Sequence, residues 1–277
     1  MMCGDLNLKW NDMKTNPLLV LGTTKLRHKY FAIRMIEEFP DTLVILKDFK
    51  QQTVFIKNEH TDIIQSHINE FKEVEKKFFS NYVKKNHNIL EKHTVKIIEN
   101  NINDNDNIEL IKELNPNLII VHTMDLIKDK LIDLFPKRIL NLHAGLSPYY
   151  RGMGTNVFPF YNNELEYVGM TIHYIDKGID SGEIILQGRP TFEMDDNTHT
   201  IGCKNVILGA NLMIKTVKRY ISEDESIPSL KQDKGKGNLY LGTDFSENII
   251  IKIRENLHNN IVSNYVNNPK EIDIVRW

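Results

Sequence analysis

Three side chains near the middle of the chain have the chemistry for acyl transfer from an amide-like donor to an amine: the amide of Asn141, the imidazole of His143 and the carboxylate of Asp180. A tetrahedral intermediate develops negative charge on the acyl oxygen, and Asn or His donors stabilise it. A carboxylate accepts a proton, or holds a water or an imidazole that does. The amine is itself the nucleophile, so no activated serine or cysteine is required, and none is evident. Read singly, each residue has a plainer role. An Asn or His at a strand end caps or packs more often than it reacts, and Asp in a turn serves local backbone hydrogen bonds.

What must position these groups is an alternation of strands and helices. Residues 17–21 (PLLVL), 43–46 (LVIL), 95–98, 118–121 (LIIV) and 138–143 (RILNLH) read as strands. Residues 28–39, 108–114 and 126–134 carry helical spacing between them. This pattern predicts an α/β fold with a doubly wound, mostly parallel sheet whose ligands lie beyond the carboxyl ends of the strands. Two ligand-bearing tips follow, at residues 122–125 and 141–145. Residues 171–175 and 183–187 read as strands flanking the Asp/Gly-rich turn 176–182, and residues 205–221 and 247–266 read as helices.

Residues 50–91 interrupt the rhythm. Ile64, Ile68, Phe71, Val74, Phe78 and Tyr82 recur at three- and four-residue steps, with Lys72, Glu75, Lys76 and Lys77 on the polar face. A long amphipathic helix is expected here, packing on the sheet or a partner subunit or else shaping the substrate site. We expect a catalytic unit over residues 1–221, with this helical insertion, and a small C-terminal extension over 222–277.

Composition narrows the function classes. The 35 basic and 37 acidic side chains nearly cancel to a net charge of −2, unlike a domain built to hold nucleic-acid phosphates. The two cysteines, Cys3 and Cys203, are far apart, so neither a disulfide framework nor a structural zinc site is expected, and a reducing cytoplasm suits the chain. Residues 1–16 lack an apolar signal core, and no run reaches membrane-spanning length. No metal-ligand spacing is present, so no metal is expected.

Together the motifs say more than any residue alone. An N-x-H ending a strand (Asn141-Leu142-His143) is followed by a D-x-G-x-D-x-G turn (Asp176-Lys177-Gly178-Ile179-Asp180-Ser181-Gly182), with His143 and Asp180 37 positions apart. This block resembles the folate-dependent formyltransferase family, which includes glycinamide ribonucleotide transformylase, methionyl-tRNA formyltransferase and sugar-nucleotide N-formyltransferases. Glu183 stands where the family usually has proline. The resemblance is strong over residues 115–187, extends back to Pro17 and fades after Tyr220.

The resemblance implies a Rossmann-like formyltransferase fold and 10-formyltetrahydrofolate as co-substrate. Asn141 and His143 would hold the formyl oxygen, and Asp180 would orient His143 or a water and assist proton removal from the amine. Met124, Asp125, Leu126 and Ile127 align with the family segment whose backbone meets the pterin, and the turn carrying Asp176 and Ile179 would close over the ring. Ser147, Tyr150, Arg151 and Gly152 would face the incoming amine, Arg151 either pairing with an anionic substrate or bracing the loop. The turn at residues 22–25 offers a weaker signal for phosphate at a helix start.

About 55 residues follow Ile221, too few for the β-barrel domain usual in methionyl-tRNA formyltransferases. Glycinamide ribonucleotide transformylases lack the 50–91 insertion. Elimination leaves a sugar N-formyltransferase acting on a nucleotide-linked amino sugar. Another amine acceptor stays open, as does a non-catalytic folate- or nucleotide-binding module. The partners expected are small molecules, with the insertion and the C-terminal segment as candidate surfaces for a homodimer.

Overall fold

The computed structural model describes residues 17–48, 61–223, 227–233 and 235–277. The expectations for residues 1–16, including Cys3, and for the start of the insertion lie outside the described residues.

The chain runs β1 (Leu18–Thr23), α1 (Leu26–Glu38), β2 (Leu43–Lys47), α2 (Asp62–Lys85), α3 (His87–His93), β3 (Thr94–Ile98), α4 (Asn105–Leu114), β4 (Leu118–Val121), α5 (Asp129–Leu134) and β5 (Ile139–His143). It continues through β6 (Tyr150–Gly152), α6 (Phe158–Asn162), β7 (Met170–Tyr174), β8 (Ile184–Gly188), α7 (Thr198–Ser222), β9 (Asn238–Tyr240), α8 (Glu247–His258) and α9 (Ile261–Asn267). Seven strands form one sheet in the order β3-β2-β1-β4-β5-β7-β8. The pairs from β3 to β5 are parallel, and β7 and β8 add on antiparallel. The fold is therefore α/β with a mostly parallel, doubly wound sheet. The strand order reverses between β1 and β4, so their carboxyl ends open the crevice in which such sheets bind ligands.

The central strands are apolar because both faces are covered. Leu18 and Val20 of β1 enter one core with α1, α2 and α7, whereas Leu19 and Leu21 enter the other with α4 and α5. A third cluster joins Tyr150, Phe158, Leu165 and Ile201 to Ile249, Ile253, Ile261 and Val262. Through it α8 and α9 pack onto the unit that carries the site, and β9 pairs in parallel with β6. Residues 275–277 also return to the sheet. The Val275 carbonyl accepts from the Gln187 N–H, the Val275 N–H donates to Gln187 Oε1, and the Trp277 indole N–H donates to the Ile185 carbonyl at 2.8 Å.

Four expectations are corrected. On α2 it is Phe79 that is fully buried, while Phe78 is 37% exposed, because the helix phase is set by Tyr30 of α1, whose ring lies 4.8 Å from that of Phe79. Glu75, placed on the polar face by its charge, is buried at 6% and pairs with Arg27. The helix expected over 247–266 is broken between α8 and α9 at Asn260, whose φ of 61° no helix accommodates. Helix α7 starts earlier than its apolar periodicity suggests, at a capping box in which Asn197 and Thr200 satisfy each other's backbone N–H groups.

Candidate active site

Strand β5 ends at the middle of the carboxyl edge and presents Asn141 and His143 two residues apart, on one face. Its antiparallel neighbour β7 places His173 opposite Asn141 and Thr171 opposite His143. The chain then turns through residues 175–183 and brings Asp180 back over both strands. Gly182 makes that return possible, since a Cβ there would lie 1.8 Å from the Tyr174 carbonyl oxygen.

Asp180 is the hub. Its Oδ1 accepts from Asn141 Nδ2 at 3.0 Å, and its Oδ2 accepts from the Gly152 N–H at 2.9 Å and lies 3.3 Å from His143 Nδ1. Asn141 Nδ2 is also 3.1 Å from His173 Nε2. His173 Nδ1 faces the Tyr174 carbonyl at 2.7 Å, and a carbonyl only accepts, so this nitrogen carries the proton and Nε2 is free to accept from Asn141. The Asp180 backbone has φ 46°, a left-handed conformation that Asp tolerates better than most residues. Gln232 of the C-terminal extension steadies it by donating to the Asp180 and Gly182 carbonyls at 2.9 and 2.6 Å.

The same reasoning fixes His143. Its Nε2 lies 2.8 Å from the Tyr150 carbonyl and must donate to it. Nδ1 therefore meets a carboxylate, and only a proton there turns that contact into an attraction. Burial would raise the Asp180 pKa, but the charge of His143, together with the Gly152 N–H, holds its carboxyl well below the usual carboxylate range. Burial pulls the His143 pKa down, against the opposing pull of Asp180. An ionised carboxylate thus faces an imidazole nitrogen across a gap that one proton can bridge, which is the equipment of a proton shuttle.

The loop after His143 wraps around its ring. A Cβ on Gly145 would come 2.7 Å from His143 Nε2. Thr171 Oγ1 donates to the Gly145 carbonyl at 2.6 Å and accepts from the Ser147 N–H at 3.0 Å and from Gln187 Nε2 at 2.9 Å.

Asn141, His143 and Asp180 are therefore together. His173 belongs with them, and sequence reasoning missed it although it stands two residues from Thr171 in a strand already placed at 171–175. The residues expected to face an acceptor divide. Ser147 and Tyr150 are 1% and 2% exposed and serve the loop through their backbones. Arg151 and Gly152 stay partly exposed, and the Arg151 Nε is enclosed with no hydrogen-bond partner among the described residues. Of the expected pterin segment, Leu126 is 59% exposed and Ile127 is buried at 4%. Ile179 on the facing turn is 37% exposed. Two large apolar side chains thus stay in solvent on the turns that flank β5. Asp176 accepts from the Gly178 N–H at 3.0 Å and from Ser181 Oγ at 2.7 Å, shaping the turn from within.

The turn at residues 22–25 does not present its amides to a phosphate. Thr24 N–H bonds the Lys47 carbonyl, Lys25 N–H bonds Thr23 Oγ1, and Arg27 N–H bonds Glu75 Oε1 at 2.8 Å. A carboxylate of the insertion already supplies the negative charge that the start of α1 attracts.

The formyl transferase family profile matches residues 51–217 of the chain, more than half of it. The chain belongs to the formyl transferase family. Among curated relatives, a methionyl-tRNA formyltransferase from Thermodesulfovibrio yellowstonii is 36% identical over 146 residues, 49% of this chain and 47% of that one. Another, from Kosmotoga olearia, is 40% identical over 119 residues, 43% of this chain and 38% of that one. The chain thus spans about half, or less, of the length of the curated relatives it matches. Among solved structures, an N-formyltransferase from Helicobacter canadensis in complex with folinic acid and dTDP-3-aminofucose shares 20% identity at a TM-score of 0.56, over 86% of this chain and 79% of that one. At that identity the likeness is one of fold, and the formyl transferase fold agrees with the sheet described above. Among the described residues no group of His, Cys, Asp and Glu is arranged to hold a metal ion, and no helix is long and apolar enough to cross a membrane.

Two histidines beside the site yield a stability prediction. His28 and His122 are 1% and 4% exposed, with ring centroids 4.6 Å apart. Burial, with the charge of Arg27, holds His28 well below its usual value and His122 down at about 3. Each stays neutral in the fold but takes up a proton in the unfolded chain below its ordinary value of 6.5. Stability should be unaffected by them above that pH and should fall below it, by about 1.4 kcal/mol per pH unit for each. Urea midpoints at pH values spanning neutrality and mild acid would show it. His122→Phe should give a shallower decline, and an unchanged slope would mean that His122 is not held neutral.

Proposed function

We propose that the protein transfers a formyl group from 10-formyltetrahydrofolate to the amine of a nucleotide-linked amino sugar. The observation that carries the transfer chemistry is the single hydrogen-bonded cluster of Asn141, His143 and Asp180 at the end of β5.

The donor supplies the activated formyl group. Leu126 and Ile179 offer exposed apolar surface for its flat ring system on either side of β5. Protonated His143, kept so by Asp180, would stabilise negative charge on the formyl oxygen through its positive charge, since its two ring N–H groups face the Tyr150 carbonyl and Asp180. Asn141 enters the same role by exchange, since its amide hydrogens point to Asp180 and His173 and one must turn toward the formyl oxygen. The attacking nitrogen loses a proton as the new C–N bond forms, and the His143–Asp180 pair would take it and return one to the departing nitrogen of the donor. The partly exposed Arg151 would meet an anionic part of the acceptor.

Two observations favour an amino sugar over other amines. The helix-start anion position after β1 is occupied by Glu75, so a phosphate is not accommodated there. The residues after α7 pack as β9, α8 and α9 against the site itself. The curated relatives named as methionyl-tRNA formyltransferases support a second reading, in which the acceptor is a charged tRNA.

The test is to incubate the protein and 10-formyltetrahydrofolate with nucleotide-linked amino sugars, glycinamide ribonucleotide or methionyl-tRNA, reading products by mass. Gain of one formyl group on an amino sugar is expected. Formylation of methionyl-tRNA alone would replace the acceptor assignment, and no transfer to any acceptor would remove the enzymatic one.

A further inference from the structure

The end of β2 and the loops that leave β3 and β4 are fastened together by one half-buried carboxylate. Asp125 accepts from Lys47 Nζ through Oδ1 at 2.5 Å and Oδ2 at 2.6 Å, and Oδ2 also accepts from the Ile102 N–H at 2.9 Å. The Lys47 and Asp125 side chains are 9% and 15% exposed. Next to this pair, Asn103 donates from Nδ2 to the Leu126 carbonyl at 2.9 Å and accepts from the Lys128 N–H through Oδ1 at 2.8 Å. Residues 124–128 are thus gripped on both sides of Leu126, whose apolar side chain is left 59% exposed.

Stability does not explain this arrangement. Desolvating two charges offsets most of what their attraction returns, and an apolar pair would serve a core as well. Asn103 is half-buried and bonds two backbone groups that water would satisfy equally. What both devices achieve is a fixed backbone path for a segment that has no regular secondary structure to fix it.

We infer that Lys47, Asp125 and Asn103 are positioning residues that hold segment 124–127 as a preformed ledge for the heteroaromatic ring of the formyl donor. They set donor affinity without taking part in the chemistry. This rests on the folate-dependent reading above. Where the competent arrangement of a site is populated only a tenth of the time, apparent affinity falls about tenfold.

The experiment measures binding of 5-formyltetrahydrofolate, a non-transferring analogue of the donor, by calorimetry, together with steady-state kinetics. It compares the wild-type protein, Asp125→Asn and Asn103→Ala. Both variants should bind about tenfold more weakly and raise the KM for the donor alike, with kcat at saturating donor and the KM for the acceptor within about twofold of wild type. Asp125→Asn leaves the Lys47 charge buried and can fail to fold. Asn103→Ala lies on the surface and keeps the test open. Wild-type affinity in a folded Asn103→Ala variant, or a fall in kcat equal to the rise in KM, would overturn the assignment. Failure of the wild-type protein to bind the analogue would instead remove the folate reading, and the ledge with it.

Discussion

Asp180→Asn is expected to lower turnover by about a hundred- to ten-thousand-fold, the range spanned by a lost acid–base function, while donor binding stays within about threefold of wild type. The substitution keeps the shape of the side chain and leaves an oxygen for the Gly152 N–H that now bonds Oδ2 at 2.9 Å. It removes the charge that opposes burial at His143. Because the Gly152 N–H and His143 Nδ1 share Oδ2, the new amide nitrogen takes the Oδ1 place and meets Asn141 Nδ2 donor against donor, and the oxygen left beside His143 is too weak a base to take up its proton. The proton between the two residues is then lost from the cycle. Single-turnover rates at saturating donor, measured beside direct donor binding, separate the two effects. Turnover within threefold of wild type would take Asp180 out of the mechanism.

Adding one methyl group at Gly182 should damage the protein more than any comparable change near the site. A Cβ there would lie 1.8 Å from the Tyr174 oxygen and 2.8 Å from its carbon, and neither atom can yield, because Tyr174 closes β7 and its N–H bonds the Glu183 carbonyl at 3.0 Å. The turn would have to lift off the strand, carrying Asp180 with it. Overpacking of this kind costs about 1–3 kcal/mol or more, which for a domain this large lowers Tm by roughly 2–4 °C per kcal/mol. Any folded Gly182→Ala protein should in addition have lost most of its turnover. Gly202→Ala is the natural control. It adds its Cβ at ordinary contact distance, 3.5 Å, from Phe71, within α7, where alanine is favoured over glycine by about 1 kcal/mol. Equal behaviour of the two variants in thermal melts would show that the close approach at Gly182 does not hold the turn.

Much of this site is legible without coordinates, for physical reasons. Strands β4 and β5 are covered on both faces, so they stand out as short apolar runs, and the two polar residues that interrupt β5 stand out with them. The Asp- and Gly-rich turn advertises both its shape and its carboxylate. Other parts are silent because they depend on partners distant in sequence. Glu75 looks like a solvated charge until Arg27, 48 residues earlier, is folded against it. Phe78 and Phe79 fit the helical period equally well, and only the packing of α1 chooses between them. Ser147 and Tyr150 act through backbone groups, which a side-chain reading cannot anticipate. His173 looked like any histidine in a strand, since its value lies in facing Asn141 across the β5–β7 ladder.

Strand β5 belongs to two neighbourhoods, hydrogen-bonded in parallel to β4 on one side and antiparallel to β7 on the other. Everything that handles a proton lies at or after it, from Asn141 to Asp180. The Leu126 ledge and the helices of the insertion come before it. The connection from α5 into β5 is therefore a natural seam for recombination. A crossover there between two members of the family would bring in a new insertion and a new ledge while inheriting the proton-handling groups intact, so donor binding can drift in lineages whose chemistry stays constant.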